Sequence, residues 1–452
     1  MIATTTKETK GPVTIGKATK GLSGATVAPP DKSVSHRAVI LGSIAEGATK
    51  VEGFLEGTDN MSTLNAFKQM GVAIDRSGST ALTSTTMASR LMIHGVGALG
   101  LSEPEDIINA NNSGTTTRLL TGLLSAQPFF SVITGDASLR RRPMRRVVDP
   151  LRLMGARITG RMDGGLLPLS IEGQRLKGIE YKMPIASAQV KSALLLAGLY
   201  AEGETIVEEP AKTRDHAERM LMAFGADIKV DGLRVRITSK NKLNGCEVNP
   251  PGDISSAAFF MVGAMITPRS DLLTMFVGIN PTRTGIIQIL KKMGGVVIVG
   301  KEDDFTGEPV AGIRVKTSSL RGVDINAAEL LPAIDEFPII CIAAAFAEGT
   351  TRIRGAGELR VKESDRIKAM GNLLTTIGIS NKETDDGIVV EGAGSKTIKG
   401  GVVIDSLGDH RIAMSAAIAG LRAENGITIL DPECANVSFP GFYEQLRKIS
   451  GR

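Results

Sequence analysis

Six segments of the chain share one pattern of hydrophobic and polar positions. Each is a helix-length run of small and apolar residues, followed by a turn and a short strand. The runs begin at His36, Thr116, Val190, Ser256, Pro338 and His410, and 452 residues divided by six gives a mean spacing of about 75 residues. Because each run is apolar almost all round, it predicts a helix that is buried on every side.

A second helix follows in most copies and ends in a Met-Gly or Phe-Gly pair before another strand. Gly71, Gly155, Gly225 and Gly294 occupy this position, which suits the left-handed residue that ends many helices. Each unit is therefore predicted to run β-α-β-α-β-β.

Six buried helices cannot all lie on the outside of one sheet. We therefore predict an α/β protein of two inside-out domains, each built from three βαβαββ repeats with buried helices and outer sheets. An ordinary doubly wound sheet is the alternative. Against it, the sequence has no P-loop.

The chain also carries two similar proline-rich segments that predict a domain boundary. P-P-D-K-S at 29–33 is echoed by P-P-G-D-I-S at 250–255, and three repeats lie between them. We predict one domain at 31–251 and a second from 13–30 together with 252–452, with a loose N-terminal tail at 1–12. Two crossings beside one cleft predict a hinge, and ligands often bind between domains.

The composition indicates a globular protein with anionic partners. The chain is 42% hydrophobic and 22% charged, and Lys plus Arg exceed Asp plus Glu by 53 to 48. With no Trp and three Tyr, it offers few stacking platforms for nucleic acid. Three scattered cysteines, no apolar run of membrane-spanning length and no signal-peptide core predict a cytoplasmic protein that binds neither membrane nor nucleic acid.

The start of the first buried helix suits an anion. Two prolines force an extended entry, and Asp31 or a following serine caps the helix. Lys32, Ser33 and Arg37 add two charges and a hydroxyl to a helix N-terminus that already favours negative ligands. Basic and polar groups recur near other helix starts, at 111–118, 140–146, 187–191, 212–216, 358–366 and 409–411. Together they predict a substrate, or two, with several negative charges.

Two acidic positions are candidates for acid–base chemistry. Asp335 stands in an otherwise apolar segment that enters a buried helix, where a carboxylate is costly unless it is paired or used. Lys362, Glu363 and Arg366 are spaced to share a helix face. A surface network of ion pairs would explain that face equally well.

Several motifs in register resemble one enzyme family over essentially the whole chain. D-K-S-V-S-H-R, N-S-G-T-T-T-R, R-R-P-M, S-A-Q, R-V-K-E-S-D-R and D-H-R-I-A-M match the 5-enolpyruvylshikimate-3-phosphate synthases in order and spacing. The resemblance implies two inside-out domains. It also implies transfer of the enolpyruvyl group of phosphoenolpyruvate to the 5-hydroxyl of shikimate 3-phosphate, with release of phosphate. It implies no metal or organic cofactor, and we expect a monomer.

The same resemblance implies the site residues. Catalytic roles fall to Lys32, Asp335 and Glu363. Contacts to shikimate 3-phosphate fall to Lys32, Ser33, Arg37, Ser187, Ala188, Gln189, Arg214, Asp335 and Lys362. Contacts to phosphoenolpyruvate fall to Lys32, Gly114, Arg118, Arg142, Gln189, Arg366 and Arg411. The family is the target of glyphosate, which binds at the phosphoenolpyruvate site, and Gly114 leaves room for it.

Three positions depart from the family pattern, and two other functions stay open. Ala188 replaces a serine of many relatives, Glu358 replaces an asparagine of some, and Val437 stands where many carry a lysine. The sister transferase that acts on UDP-N-acetylglucosamine shares the fold, but its substrate handle begins with Lys-Asn rather than Lys-Ser. A nucleic-acid binder that uses the basic run at 140–146 is the second alternative.

Overall fold

The protein was analysed as a computed structural model that describes residues 11–79, 88–240 and 242–451. The predicted loose tail at 1–12 falls mostly on residues 1–10, outside this part of the chain. The helices are α1 (Lys32–Ile44), α2 (Thr58–Gln69), α3 (Gly114–Leu124), α4 (Arg145–Leu153), α5 (Arg161–Gly164), α6 (Ala188–Gly198), α7 (His216–Ala223), α8 (Ile254–Ile266), α9 (Gly285–Lys292), α10 (Ala327–Leu330), α11 (Phe337–Ala345), α12 (Arg366–Thr376), α13 (His410–Gly420) and α14 (Phe442–Ile449).

The strands of the first half of the chain are β1 (Val13–Ile15), β2 (Ser23–Val27), β3 (Glu46–Leu55), β4 (Ala73–Ser79), β5 (Ala88–Val96), β6 (Ile108–Asn109), β7 (Phe130–Thr134), β8 (Arg157–Gly160), β9 (Leu166–Glu172), β10 (Glu180–Lys182), β11 (Glu204–Glu208), β12 (Ile228–Asp231), β13 (Arg234–Thr238) and β14 (Glu247–Val248). Those of the second half are β15 (Asp271–Gly278), β16 (Val296–Val299), β17 (Asp303–Phe305), β18 (Glu308–Lys316), β19 (Asp324–Ile325), β20 (Glu348–Ile353), β21 (Asn381–Thr384), β22 (Gly387–Ala393), β23 (Val402–Ile404) and β24 (Ile427–Ile429).

Within the described ranges the strands form six small sheets. Their orders are β14-β3-β5-β4, β6-β7-β9-β8, β10-β11-β13-β12, β16-β18-β15-β2, β19-β20-β22-β21 and β1-β24-β23, with β17 added to β18. The second sheet is typical, because β6 pairs parallel to β7 while β7 and β8 pair antiparallel to β9. The N-terminal strands pair far along the chain: β2 runs parallel to β15, and β1 runs antiparallel to β24.

The apolar runs form the buried helices that the sequence predicts. Every residue of α8, α11 and α13 is buried, and α1 is buried from Val34 to its end. These helices bury all faces because their sequences offer no polar stripe. The sheets therefore lie outside them, and the predicted inside-out α/β fold is confirmed. The sixth unit departs from the repeat, since β24 is followed by a short 3-10 helix and α14 rather than by a hairpin.

The buried side chains form two separate hydrophobic cores. One draws on residues between Val34 and Val248, and the other draws on residues from Val13 to Ala28 and from Ile254 to Ile449. From this separation we propose the division into domains at 31–251 and at 13–30 plus 252–452. No helix in the described ranges is long and apolar enough to cross a membrane.

Candidate active site

The buried helices begin at one cleft. A side chain directly before the first turn caps all of them but α11, as the carboxylate of Asp31 does for the Val34 N–H at 2.9 Å and the hydroxyl of Ser113 does for the Thr116 N–H at 3.1 Å. The cleft is lined by Lys32, Ser33, Arg37, Asp59, Gly114, Thr115, Arg142, Ala188, Gln189, Arg214, His216, Asp253, Arg283, Asp335, Lys362, Glu363, Arg366, His410 and Arg411. All the predicted site residues except Arg118 and Ser187 are among them.

Arg118 and Ser187 lie one layer behind the cleft and support residues that line it. Arg118 is buried and donates a short hydrogen bond to Oε1 of Gln189, while Nε2 of Gln189 donates to Oγ1 of Thr115 at 3.0 Å. Ser187 caps α6 by accepting from the Val190 N–H at 3.4 Å. Both side chains therefore hold the Ala188–Gln189 segment in place.

Asp335 lies at the centre of a group of cations. Its carboxylate bonds to Arg214 and to Nη1 of Arg366, the latter at 3.3 Å, and its backbone oxygen accepts from Nη1 of Arg411 at 2.8 Å. Burial by itself raises the pKa of this carboxyl. The field of Arg214, Arg411, Lys362 and Arg366 outweighs burial and holds the pKa well below its usual range. Asp335 is therefore ionised in the empty cleft.

Arg366 joins the two candidate acid–base carboxylates. Besides Asp335, it donates to Oε2 of Glu363 at 2.7 Å and to Oδ2 of Asp409 at 2.8 Å. Burial also raises the pKa of Glu363, but Arg366 and Arg142 hold it well below its usual range. Burial lowers the pKa of Arg366, but the three carboxylates outweigh burial and raise it above its usual range, so Arg366 stays charged. The predicted shared helix face is wrong, because α12 begins at Arg366 and both Lys362 and Glu363 precede it. All three residues nevertheless line the cleft and do not form a surface network.

The basic residues of α1 already have partners. Nζ of Lys32 lies 2.6 Å from Oδ2 of Asp59. Arg37 donates to the Ser33 backbone oxygen at 3.2 Å and to Oγ of Ser192 at 2.7 Å. Burial lowers the pKa of Arg37 to about 10, which leaves it charged at neutral pH.

The three departures from the family pattern have different positions. Ala188 lines the cleft, and Glu358 bonds at 2.6 Å to Arg146. Val437 lies outside the cleft lining, with its backbone oxygen beside Gly57. The Arg146–Glu358 pair joins residues from the two halves of the chain at the edge of the site.

The basic run at 140–146 is largely engaged within the protein. Arg142 lines the cleft, Arg140 donates to the Gly135 backbone oxygen and Arg145 donates to the Met162 backbone oxygen at 2.7 Å. These contacts count against a nucleic-acid patch. Among the described residues, no group of three or more His, Cys, Asp or Glu side chains is placed to hold a metal ion.

Other cleft residues were not predicted as site residues from the sequence. Asp59, Thr115, His216, Asp253, Arg283 and His410 line the site. The repeated proline segment pointed to Asp253, and the basic helix starts contained His216 and His410. Burial lowers the pKa of His410 to about 3, with Lys32 adding to the effect, so this imidazole is neutral. Arg283 stands in a turn with no sequence signal of its own.

Comparisons with known proteins agree with one another. The sequence profile of the EPSP synthase (3-phosphoshikimate 1-carboxyvinyltransferase) family matches residues 17–446. The 3-phosphoshikimate 1-carboxyvinyltransferase of Geobacter metallireducens is 55% identical over 434 residues, which cover 96% of this chain and 98% of the relative. That of Geobacter sulfurreducens is 53% identical over 433 residues, again with 96% and 98% coverage.

Solved structures give the same picture. The EPSP synthase from Acinetobacter baumannii superposes with a TM-score of 0.85 at 50% identity, covering 97% of this chain and 98% of that one. The enolpyruvyl transferase NikO from Streptomyces tendae has a TM-score of 0.76 at 17% identity, with 97% of each chain covered, which is a likeness of fold alone.

Proposed function

The chain belongs to the EPSP synthase family, the 3-phosphoshikimate 1-carboxyvinyltransferases, and on this premise we propose how its cleft carries the reaction. The enzyme transfers the enolpyruvyl group of phosphoenolpyruvate to the 5-hydroxyl of shikimate 3-phosphate and releases phosphate. This is a step of the shikimate pathway to chorismate and the aromatic amino acids. The residue roles below are our assignment.

The start of α1 and the loop before α6 hold shikimate 3-phosphate. Lys32 and Ser33 offer a charge and a hydroxyl beside the free N–H groups of a helix N-terminus, where a phosphate is favoured. Arg214 and Lys362 line the same cleft from other elements, as do Ala188 and Gln189, which Ser187 holds from behind. Arg37 also lines the cleft and bonds to the Ser33 backbone oxygen, so it adds a charge beside Ser33.

Arginines on the other side of the cleft hold phosphoenolpyruvate. Arg142, Arg366 and Arg411 supply forked donors that suit a carboxylate and a phosphate, and Gly114 leaves the space between them open. Arg118 contributes by fixing Gln189. Lys32 lies between the two substrates and contacts both.

Two carboxylates move the protons. Asp335 accepts the proton of the 5-hydroxyl as the hydroxyl oxygen attacks carbon 2 of phosphoenolpyruvate, and the ammonium of Lys32 gives a proton to the methylene carbon. Ionised Glu363 then takes a methyl proton from the tetrahedral intermediate as phosphate leaves, which restores the carbon–carbon double bond in the product. That proton returns to Lys32, and the proton on Asp335 passes to the departing phosphate. The surrounding cations stabilise the charge that develops on the departing phosphate.

The observation that carries this assignment is the position of Arg366 between Asp335 and Glu363. One guanidinium bonds to both carboxylates, at 3.3 and 2.7 Å, within a cleft where the Lys and Arg residues outnumber the carboxylates. Two bound anions neutralise those cations, and both carboxylates then become stronger bases than they are in the empty site.

The test is release of phosphate from phosphoenolpyruvate with each of two acceptors. We expect turnover with shikimate 3-phosphate, none with UDP-N-acetylglucosamine, and a product whose mass equals acceptor plus enolpyruvyl group. Turnover only with the nucleotide sugar would assign the chain to the sister reaction. No phosphate release with either acceptor would overturn the function altogether.

We also propose that the enzyme acts as a monomer, because one chain supplies every group of the cleft described above. We propose further that it works in the cytoplasm, as the sequence predicts. Sedimentation velocity at assay concentrations tests the first point, and a dimer would contradict it. Fractionation of the source cells tests the second.

A further inference from the structure

The two proline-rich segments cross beneath the cleft and are tied together reciprocally. The Asp31 N–H donates to the Pro251 backbone oxygen at 2.7 Å, and the Asp253 N–H donates to the Pro29 backbone oxygen at 2.8 Å. Each aspartate also caps the helix that follows it, through bonds of 2.9 and 2.8 Å to backbone N–H groups. Asp253 accepts in addition from the N–H of Lys32 at 3.4 Å. The crossing is thus a bonded junction, not a pair of loose linkers.

One buried cation joins the two caps. Arg283, which is 2% exposed, lies in the turn between β15 and α9. Its Nη1 bonds to Oδ2 of Asp31 and its Nη2 bonds to Oδ1 of Asp253, both at 3.2 Å. A forked guanidinium satisfies both carboxylates at once, which a lysine could not do in the same geometry.

Arg283 has two further partners at the same junction. Nη2 donates to Oγ of Ser255 at 2.8 Å, and that hydroxyl in turn donates to Glu336. Nη1 lies 3.3 Å from Nε2 of His216, whose Nδ1 bonds to Glu308 at 2.7 Å.

The partners of Arg283 lie next to residues of the proposed mechanism in the sequence. Asp31 precedes Lys32, Glu336 follows Asp335, and His216 stands two positions after Arg214. The three mechanistic residues come from distant parts of the chain. Arg283 is the common contact of the segments that present them.

We propose that Arg283 is a positioning residue that sets Lys32, Asp335 and Arg214 in one geometry by bonding to the two crossing segments and to His216. The inference rests on the proposed function, because it assigns no chemistry of its own. Without Arg283, the carboxylates of Asp31 and Asp253 and the nearby Glu336 repel one another in a buried space, and the segments shift. Displacements of about 1 Å in a catalytic group cost on the order of 10²-fold in rate.

The experiment compares R283A, R283K and wild type by kcat and by KM for each substrate, well below the Tm of each variant. We expect R283A to lose on the order of 10²-fold in kcat/KM, with kcat itself reduced. R283K keeps the charge without the fork, so we expect an intermediate value. Because Arg283 lines the cleft, millimolar guanidinium should enter and restore part of the R283A activity, whereas sodium at equal ionic strength should not.

Arg314 provides the matched control. It also forms a forked pair with one carboxylate, Asp271, at 2.6 and 2.7 Å, but its side chain is 53% exposed on an outer sheet. We expect R314A to keep wild-type kcat and KM.

The outcomes separate this inference from the proposed function. Wild-type enzyme without turnover refutes the proposed function. Active wild type with R283A at wild-type kcat and KM overturns the positioning role alone. A lower Tm with unchanged kcat in folded R283A means a purely structural role and also overturns it. If R283A does not fold, R283K decides, and wild-type kinetic constants in that variant overturn the proposal.

Discussion

Gly114 sets how closely the arginines of the phosphoenolpyruvate site approach the ligand. A Cβ built on Gly114 would lie 3.1 Å from Nη1 of Arg118 and 3.1 Å from Cζ and Nη1 of Arg142, whereas ordinary contacts begin at 3.4 Å. Arg118 is held by Gln189 and by a backbone oxygen, so Arg142, whose contacts are 3.5 Å or longer, is the group that moves. The required shift is therefore 3.4 minus 3.1, or 0.3 Å.

The shift has different consequences for substrate and inhibitor. Moving a charge from about 2.8 to about 3.1 Å weakens its attraction by about 0.6 kcal/mol at an effective dielectric of about 20, which is a two- to threefold rise in KM for phosphoenolpyruvate. Glyphosate is longer and meets the new methyl group directly. Overpacking by one methyl group costs about 1–3 kcal/mol, so its inhibition constant should rise by a further factor of about 5 to 150.

The assay is initial-rate phosphate release at saturating shikimate 3-phosphate, with phosphoenolpyruvate varied at several glyphosate concentrations. We expect competitive inhibition in the wild type and a higher ratio of inhibition constant to KM in Gly114→Ala. Gly312→Ala, where the added Cβ meets only Leu273 at 3.4 Å, is the control and should leave the ratio unchanged. A wild type that already tolerates glyphosate, together with an unchanged ratio in Gly114→Ala, would refute this steric argument.

Three further predictions concern the charged groups. Asp335→Asn should fold but lose about 10²-fold or more in kcat, as loss of a positioned base does. Asp271→Asn, which changes a surface carboxylate, should keep the wild-type kcat. Equal kcat values in the two variants would remove Asp335 from the mechanism. Bound anions offset the cations that depress the pKa of Asp335 and Glu363, so both pKa values should be higher in the substrate complex than in the free enzyme. In pH–rate profiles, kcat should therefore fall on the acid side at a higher pH than kcat/KM does, and coincident acid sides would contradict this. Burial, aided by two nearby cations, holds the pKa of His36 well below 6.5. As pH drops below about 6.5, His36 therefore gains a proton in the unfolded chain but not in the folded one, and the free energy of unfolding falls. Urea titrations of His36→Gln should show a slope against pH smaller by up to about 1.4 kcal/mol per unit than in wild type or in His94→Gln, and an unchanged slope would count against a neutral His36.

The sequence by itself determined the architecture. Runs such as α8, with every residue buried, have no polar stripe, and such a run has to be covered on all sides wherever it lies in the fold. Caps such as Ser113 are equally local, because the capping bond spans three residues. These short-range signals placed Lys32, Gly114 and Gln189 at helix starts. They also predicted that the starts converge on an anion site.

Only the tertiary structure decided which side chains contact one another. Arg283 contacts Asp31 across 252 positions, Arg37 contacts Ser192 across 155, and Arg118 contacts Gln189 across 71. No periodicity relates positions so far apart, and each pair forms because folding excludes water around both members at once. The same long-range packing placed Arg118 behind the cleft. The sequence therefore specified which groups lie at the helix starts, whereas the packed fold alone determined their partners, their ionisation and their geometry.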